Sequence, residues 1–332
     1  MTEKLFTAII TAELIVIAVL GVRLYVGSGA VPTASVAPLS LDEIIFPREG
    51  ELKYFFELRA PYLPLWLPYR PVVTINADTL NDRFDYSIIK PPRTFRIIAL
   101  GDSWTYGQFV HTRDTYPEVL EDLLNRESRC VSLTKFEVLN LGVPNYDIRY
   151  AVERFLRRGQ KYNPDLVLWL LVRNDFDEMQ EFLVPRTRQY LREFAGRGEL
   201  DRETFERYQN AWNQSAALGA VWQRSVADQQ HEYGIEHVRA YQAAALRTLG
   251  DSYRGPLILF TLPSVTGIEK VHTAIVEAFA RERNGTYFYE SPLDLKVVGA
   301  RYPDGHPNPK GHHLIAQDLF EYLISQKLVP CV

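Results

Sequence analysis

One serine in this 332-residue chain is placed where it could act as a nucleophile. Ser103 follows a short apolar run that ends at Gly101-Asp102. A sharp turn into a helix at that point would favour negative charge on or beside the hydroxyl. Serine is also a common helix cap, which is the alternative interpretation of this position.

A histidine near the C-terminus could supply the base that such a serine needs. The base itself needs an orienting carboxylate. Asp304 and His306 are two residues apart, so an extended backbone points both side chains to one face. The Pro-Asn-Pro that follows discourages a helix there. The spacing predicts a Ser103–His306–Asp304 triad; an Asp/His pair in a surface turn is the alternative.

Acyl transfer also requires hydrogen-bond donors aimed at the developing oxyanion. The candidate donors are the backbone N–H of Ser103, an N–H of the loop 140–145 and the side-chain amide of Asn174. Asn174 could instead cap a helix or a turn. The spacing of His306, His312 and His313 fits no common zinc pattern, so we predict no metal site.

These motifs follow segments that read as buried strands alternating with helices. That alternation predicts a three-layer α/β fold with a central parallel sheet, whose ligands gather at the carboxyl ends of the strands. Strands are predicted at 95–100, 136–141, 165–172, 257–262 and, more weakly, 286–289. Helices are predicted at 117–125, 148–161, 202–215, 229–249, 267–283 and 310–326. The long stretch between the third and fourth strands, about 176–255, is predicted to be a helical insertion.

The N-terminus differs in composition from the rest of the chain. Residues 5–22 are mostly apolar, lie between Lys4 and Arg23, and are long enough to span a bilayer. We predict a membrane anchor in residues 1–27, with residues 5–27 in contact with the membrane. A cleaved signal peptide ending near Ser35-Val36-Ala37 and a buried helix are the alternatives. The first prediction gives a single-pass protein of the cell membrane whose catalytic domain is extracytoplasmic; the second gives a secreted protein.

Three further segments complete the predicted domain organisation. Residues 28–39 read as a linker, residues 40–94 as an extension packed on the core, and residues 95–329 as the main domain. The formal net charge of −4 and the absence of a concentrated basic run predict no nucleic-acid partner. The two cysteines have no CxxC spacing and fit no cysteine zinc site.

Four blocks in order resemble the SGNH/GDSL hydrolase superfamily: Gly-Asp-Ser-x-Thr-x-Gly, Asn-x-Gly-Val-Pro, Asn-Asp and Asp-x-His-x-Asn. The resemblance implies a flavodoxin-like α/β/α sandwich without a cofactor. It implies that Ser103 is the nucleophile, His306 the base, Asp304 its partner and Asn174 an oxyanion donor.

The second block departs from the usual family pattern. Asn145 is the best match to the position that usually holds glycine, and Gly142 lies three residues earlier, so both are candidate oxyanion donors. Asn tolerates a left-handed backbone better than most residues do. Asp102, Trp104 and Arg173 are candidate substrate contacts. Arg173 could bind an anionic substrate or form a structural ion pair.

The resemblance implies a serine esterase that acts on the O-acyl esters of a small molecule, a glycan or a lipid. Cell-envelope glycans and lipids are the expected substrates of an extracytoplasmic enzyme. An O-acyltransferase that uses the same triad is one alternative. A non-catalytic glycan-binding protein on the same fold is the other, because a fold does not fix a function.

Overall fold

The computed structural model describes residues 71–127, 133, 135–196, 216–262, 266–297 and 299–330. The predicted anchor, the linker, most of the predicted extension and the helix predicted at 202–215 lie outside these ranges. Within them, no helix combines the length and the apolar character needed to cross a membrane.

Five parallel strands form one sheet, in the spatial order β2-β1-β3-β4-β5. All five predicted strands are present, each within two residues of its predicted ends, so the α/β class with a central parallel sheet is confirmed. Continuous apolar runs could be identified because a strand covered on both faces needs apolar side chains on both. The strands are β1 Thr94–Leu100, β2 Lys135–Asn140, β3 Leu166–Leu170, β4 Leu257–Thr261 and β5 Thr286–Glu290.

Nine α-helices lie within the described ranges. They are α1 Ser103–Tyr106, α2 Tyr116–Glu127, α3 Ile148–Arg154, α4 Arg173–Asp177, α5 Gln180–Gly196, α6 Ala216–Glu232, α7 Ile235–Ser252, α8 Lys270–Glu282 and α9 Pro309–Ser325.

The two faces of the sheet belong to two separate cores. Alternate residues of a strand point to opposite faces, so Ile98 and Trp169 pack in one core and Ile97 and Leu168 in the other. Side chains of α3, α7 and α8 fill the first core. Side chains of α2 and α9 fill the second. Helices therefore cover both faces of the sheet.

Several helices differ from the prediction. The helix predicted at 148–161 is α-helical only to Arg154, and the chain continues through a π turn at Phe155–Gly159 and a 3₁₀ turn at Gln160–Tyr162. The helix predicted at 229–249 was wrong as one continuous element, because Gly234, at φ 76°, separates α6 from α7. Helix α5 lies within the helical insertion predicted at about 176–255 but was not predicted as a separate helix; Pro185 interrupts its pattern in the sequence.

The segment that precedes β1 supports the serine-bearing loop. Leu80 is fully buried in the same core as α3 and α7. Asn81 is also buried, and its side-chain amide donates to Tyr106 O over 2.7 Å. Asn81 therefore holds the end of α1.

Candidate active site

The turn between β1 and α1 places Ser103 at the carboxyl edge of the sheet. Gly101 has a φ of 148°, and a side chain there would clash with Thr105 Oγ1 and lie 2.9 Å from Leu170 O. Asp102 caps α1 by accepting the Trp104 N–H over 2.9 Å. This close packing fixes the first residue of α1, Ser103, over the end of the sheet.

The structure brings Ser103, His306 and Asp304 together although 203 residues separate the serine from the histidine. Ser103 Oγ lies 2.9 Å from His306 Nε2. His306 Nδ1 lies 2.9 Å from Asp304 Oδ2. The arrangement is consistent with the tautomer in which Nδ1–H donates to the carboxylate and Nε2 accepts from the serine hydroxyl.

A tight turn holds the Asp304–His306 pair. Arg301 and Pro307 form an antiparallel bridge, and the Tyr302 N–H donates to His306 O over 2.8 Å. Asp304 Oδ1 also accepts the backbone N–H of His306 over 3.1 Å. One carboxylate therefore fixes both the backbone and the ring of the histidine. The two-residue spacing predicts an extended backbone, but the backbone itself is not extended: the Gly305 N–H donates to Tyr302 O over 3.0 Å, and Gly305 has a φ of 101°. The pair meets within a turn instead.

A second carboxylate, Asp102, contacts the serine from the other side. Asp102 Oδ2 lies 3.3 Å from Ser103 Oγ, and the Asn174 side chain hydrogen-bonds the same carboxyl group. Burial raises the pKa of Asp102, against the opposing effects of the Trp104 N–H and of His306. The Asn174 side chain therefore lies beside Ser103 and is hydrogen-bonded to the adjacent Asp102.

The two candidates in the second block have different environments. The Gly142 N–H donates to Asn140 Oδ1 over 3.0 Å, and a side chain at Gly142 would overlap the backbone of α1. Gly142 is thus a packing position whose N–H already has an acceptor. Asn145 is exposed and has a φ of 64°, in the left-handed region. Within the described part of the chain, neither the Asn145 N–H nor the Ser103 N–H has an acceptor.

Two of the three candidate substrate contacts are mostly buried. Trp104 is 8% exposed and Asp102 2%, so both lie mainly within the protein. The Arg173 side chain is 58% exposed, and its Nε donates to Asp177 Oδ2 over 3.0 Å. Of the two interpretations of Arg173, the structural ion pair is therefore formed in this structure.

Two aromatic residues beside the histidine were not predicted from the sequence. The Phe109 ring lies 5.4 Å from the His306 ring, and Tyr302 in turn contacts Phe109 at 6.2 Å. Trp104 lies 6.4 Å from the same imidazole. No motif marks Phe109 or Tyr302, because their role depends on a contact between distant parts of the chain.

Three more carboxyl groups lie near this edge of the sheet. Burial raises the pKa of Asp147 to about 6 and, together with the charge of Asp147, that of Glu178 to about 8. Burial and the nearby Asp102 raise the pKa of Asp175 well above its ordinary value. Raised carboxyl pKa values cluster at functional sites. Among the described residues, no group of three or more His, Cys, Asp or Glu side chains could hold a metal ion.

Comparison with known proteins identifies one matching family and several solved structures of low sequence identity. The GDSL-like Lipase/Acylhydrolase family matches residues 99–314. No curated protein sequence matches the chain significantly.

Three solved structures illustrate the structural likeness. The esterase EstA from Pseudoalteromonas sp. is 13% identical, with 70% of this chain and 99% of that chain covered and a TM-score of 0.43. A two-domain esterase (CEX) active on acetylated mannans is 14% identical, with 73% and 51% covered and a TM-score of 0.41. A Clostridium thermocellum family 3 carbohydrate esterase is 14% identical, with 72% and 100% covered and a TM-score of 0.37. Likeness at this level carries no argument about substrate.

The family match spans well over half of the chain and includes Ser103 and His306. The resemblance to SGNH/GDSL hydrolases is thereby confirmed: the chain belongs to the GDSL-like lipase/acylhydrolase family, and is a serine hydrolase that acts on esters.

Proposed function

We propose that the protein hydrolyses O-acyl esters through a Ser103–His306–Asp304 triad. The observation that carries the proposal is the continuous chain of contacts from Ser103 Oγ to His306 Nε2, and from His306 Nδ1 to Asp304 Oδ2, each 2.9 Å long. Such a chain gives the serine a base and gives the base an orienting carboxylate.

The reaction has two halves. Ser103 Oγ attacks the acyl carbonyl carbon while its proton passes to His306 Nε2, and the imidazolium is stabilised by Asp304. The tetrahedral intermediate collapses, the carbon–oxygen bond to the alcohol breaks, and Nε2–H protonates the leaving oxygen. Water, deprotonated by His306, then attacks the acyl-enzyme and releases the carboxylic acid and free Ser103.

Three donors are available for the oxyanion of each intermediate. The backbone N–H groups of Ser103 and Asn145 have no acceptor within the described part of the chain, and the left-handed backbone at Asn145 supports this role. Asn174 adds a side-chain amide with two N–H donors. One of them can remain on Asp102, which orients the amide, while the other points to the oxyanion.

The proposed substrates are O-acyl groups of cell-envelope glycans or lipids. The support is the apolar segment at residues 5–22, which predicts an anchor and an extracytoplasmic catalytic domain. A membrane-anchored location is proposed together with this substrate class. Both can be tested on the full-length chain by fractionation and by protease accessibility in intact cells.

The test of the reaction is steady-state hydrolysis of p-nitrophenyl acetate by the wild-type protein and by Ser103→Ala. We expect a loss of at least about 10³-fold in kcat for the variant, because the nucleophile is gone. Thr105→Ser serves as a control for general disturbance of the loop, since Thr105 Oγ1 bonds Leu100 O and Tyr116 OH. An inactive wild-type protein with a native circular-dichroism spectrum would overturn the proposed activity and favour the glycan-binding interpretation.

A further inference from the structure

Phe109 has a backbone conformation that its side chain does not favour. The Val110 N–H donates to Gly107 O, which closes a four-residue turn with Phe109 at the third position. The φ of Phe109 is 73°, in the left-handed region that glycine or asparagine usually occupies in such turns. A bulky aromatic residue is retained here only where its surroundings compensate for the strain.

The contacts of the Phe109 ring lead directly to the proposed base. The ring is 2% exposed and meets the His306 imidazole at 5.4 Å with an interplanar angle of 79°. Edge-to-face pairs of this kind prefer a defined orientation. The Phe109 ring thus restricts rotation of the His306 imidazole about the bond that joins the imidazole to the rest of its side chain.

Tyr302 links the two loops a second time. Its hydroxyl donates to Phe109 O over 3.3 Å, and its ring meets the Phe109 ring at 74°. Its backbone N–H donates to His306 O. The loop that follows the serine helix and the turn that carries the histidine are therefore joined through one aromatic pair.

We propose that Phe109 is a positioning residue that aligns the His306 imidazole with Ser103, and that Tyr302 holds Phe109 in place. The proposal rests on the proposed triad. Asp304 contacts Nδ1 and Ser103 Oγ contacts Nε2, but these two contacts leave the ring free to tilt about the line that joins them. The Phe109 ring restricts that tilt and shields the adjacent side of the imidazole from water.

Phe109→Gly separates the role of the ring from that of the backbone. Glycine adopts a φ of 73° without strain, so the turn is retained while the ring is lost. We expect kcat for p-nitrophenyl acetate to fall roughly 10- to 100-fold, with KM changed less than about twofold, because misplaced catalytic groups slow the chemical step. Phe109→Leu keeps most of the volume and should retain more of the activity. Tyr302→Phe, which removes only the hydroxyl, should have the smallest effect.

A second readout does not depend on turnover. The proton on His306 Nδ1, observed by NMR in the wild-type protein, should be lost or exchange-broadened in Phe109→Gly and preserved in Phe109→Leu. Equal kcat and an unchanged Nδ1–H signal in a folded Phe109→Gly protein would overturn the proposal. If Phe109→Gly fails to fold, Phe109→Asn decides, because asparagine also tolerates a positive φ: a reduced kcat at unchanged KM supports positioning, and full activity contradicts it.

The failure of this inference differs from the failure of the proposed function. A wild-type protein without esterase activity contradicts the proposed function. If its Nδ1–H signal nevertheless depends on the Phe109 ring, the positioning role stands. An active wild-type protein with insensitive kinetics and an insensitive signal leaves the triad intact and removes Phe109 from the account.

Discussion

Several buried carboxylates at the two edges of the sheet differ in their partners. At the amino-terminal edge Glu137 meets the fully buried Arg96 at 2.6 Å, and Asp165 meets Lys90 at 2.6 Å. At the carboxyl-terminal edge, Asp102, Asp147, Asp175 and Glu178 form no ion pair with any described residue. The same side-chain types thus serve two purposes in one fold.

The pKa values of these groups follow the same division, with one exception at the carboxyl-terminal edge: burial would raise the pKa of Asp177, but hydrogen bonds from Arg239 and Arg173 hold it below its ordinary value. Burial alone would raise the pKa of Asp78, at the amino-terminal edge, but hydrogen bonds from Lys161 and Tyr162 outweigh it and hold the pKa below its ordinary value. At the other edge, burial and the nearby Asp147 outweigh the hydrogen bond from Trp222, and the pKa of Glu178 rises to about 8. The ion pairs at the amino-terminal edge stabilise the fold. The buried carboxyl groups without an ion pair at the carboxyl-terminal edge destabilise it, and the proposed triad lies at that edge.

Substitution of Asp304 is expected to have the largest effect on activity, because this carboxylate lies at the carboxyl-terminal edge and also has a side-chain partner. It belongs to the carboxyl-terminal edge yet has a partner, His306, at 2.9 Å. Asp304→Asn should lower kcat roughly 10²- to 10⁴-fold, since an amide favours the wrong imidazole tautomer. Steady-state kinetics measure the loss, and thermal unfolding should show little change in Tm. A large drop in Tm with only a small drop in kcat would assign Asp304 a structural role.

Glu137→Gln tests the amino-terminal edge. Arg96 Nε and Nη2 both bond Glu137 Oε2, and Nη1 donates to Tyr162 O. Neutralising Glu137 leaves a buried guanidinium without its counter-ion, so the free energy of unfolding should fall by about 3 kcal/mol. Urea denaturation at pH 7 measures this. An unchanged midpoint would show that the pair contributes nothing and would remove the distinction between the edges.

Glu178→Gln is the matched substitution at the other edge. At high pH it should raise the free energy of unfolding, whereas Glu137→Gln should lower it. A carboxyl whose pKa is raised by folding contributes its full stabilisation below the unfolded pKa of about 4.3. That stabilisation is lost as the pH rises through about 8. The variant cannot ionise, so it should match the wild-type protein near pH 4 and exceed it at pH 9, by up to about 5 kcal/mol for a shift from about 4.3 to about 8. Urea midpoints across this range give the comparison, and parallel pH profiles would contradict it.

The sequence predicts those parts of the fold that local pattern determines. The apolar runs of β1, β3 and β4 predict strands buried on both faces, and the Asp304–His306 spacing predicts that the two side chains meet, although they do so in a turn and not in an extended stretch. The break between α6 and α7 depends on Gly234 having a positive φ, which composition alone does not show.

Other features of the site depend on contacts between distant segments. Gly142 reads as a donor in the sequence, but Asn140 already accepts its N–H in the structure. Arg173 meets Asp177 one helical turn later, a pairing that the sequence left open. Phe109 joins the site only because Tyr302 and His306 arrive from a segment almost 200 residues away.

The proposed role of Ser103 as the nucleophile is tested most directly by mapping the residue that a fluorophosphonate modifies. The wild-type protein, with Asp304→Asn and Ser103→Ala beside it, is incubated with the reagent, digested and mapped by mass spectrometry. We expect one phosphonyl adduct on Ser103, formed much more slowly in Asp304→Asn and absent in Ser103→Ala. An adduct on a different serine, or none on a folded wild-type protein, would contradict it.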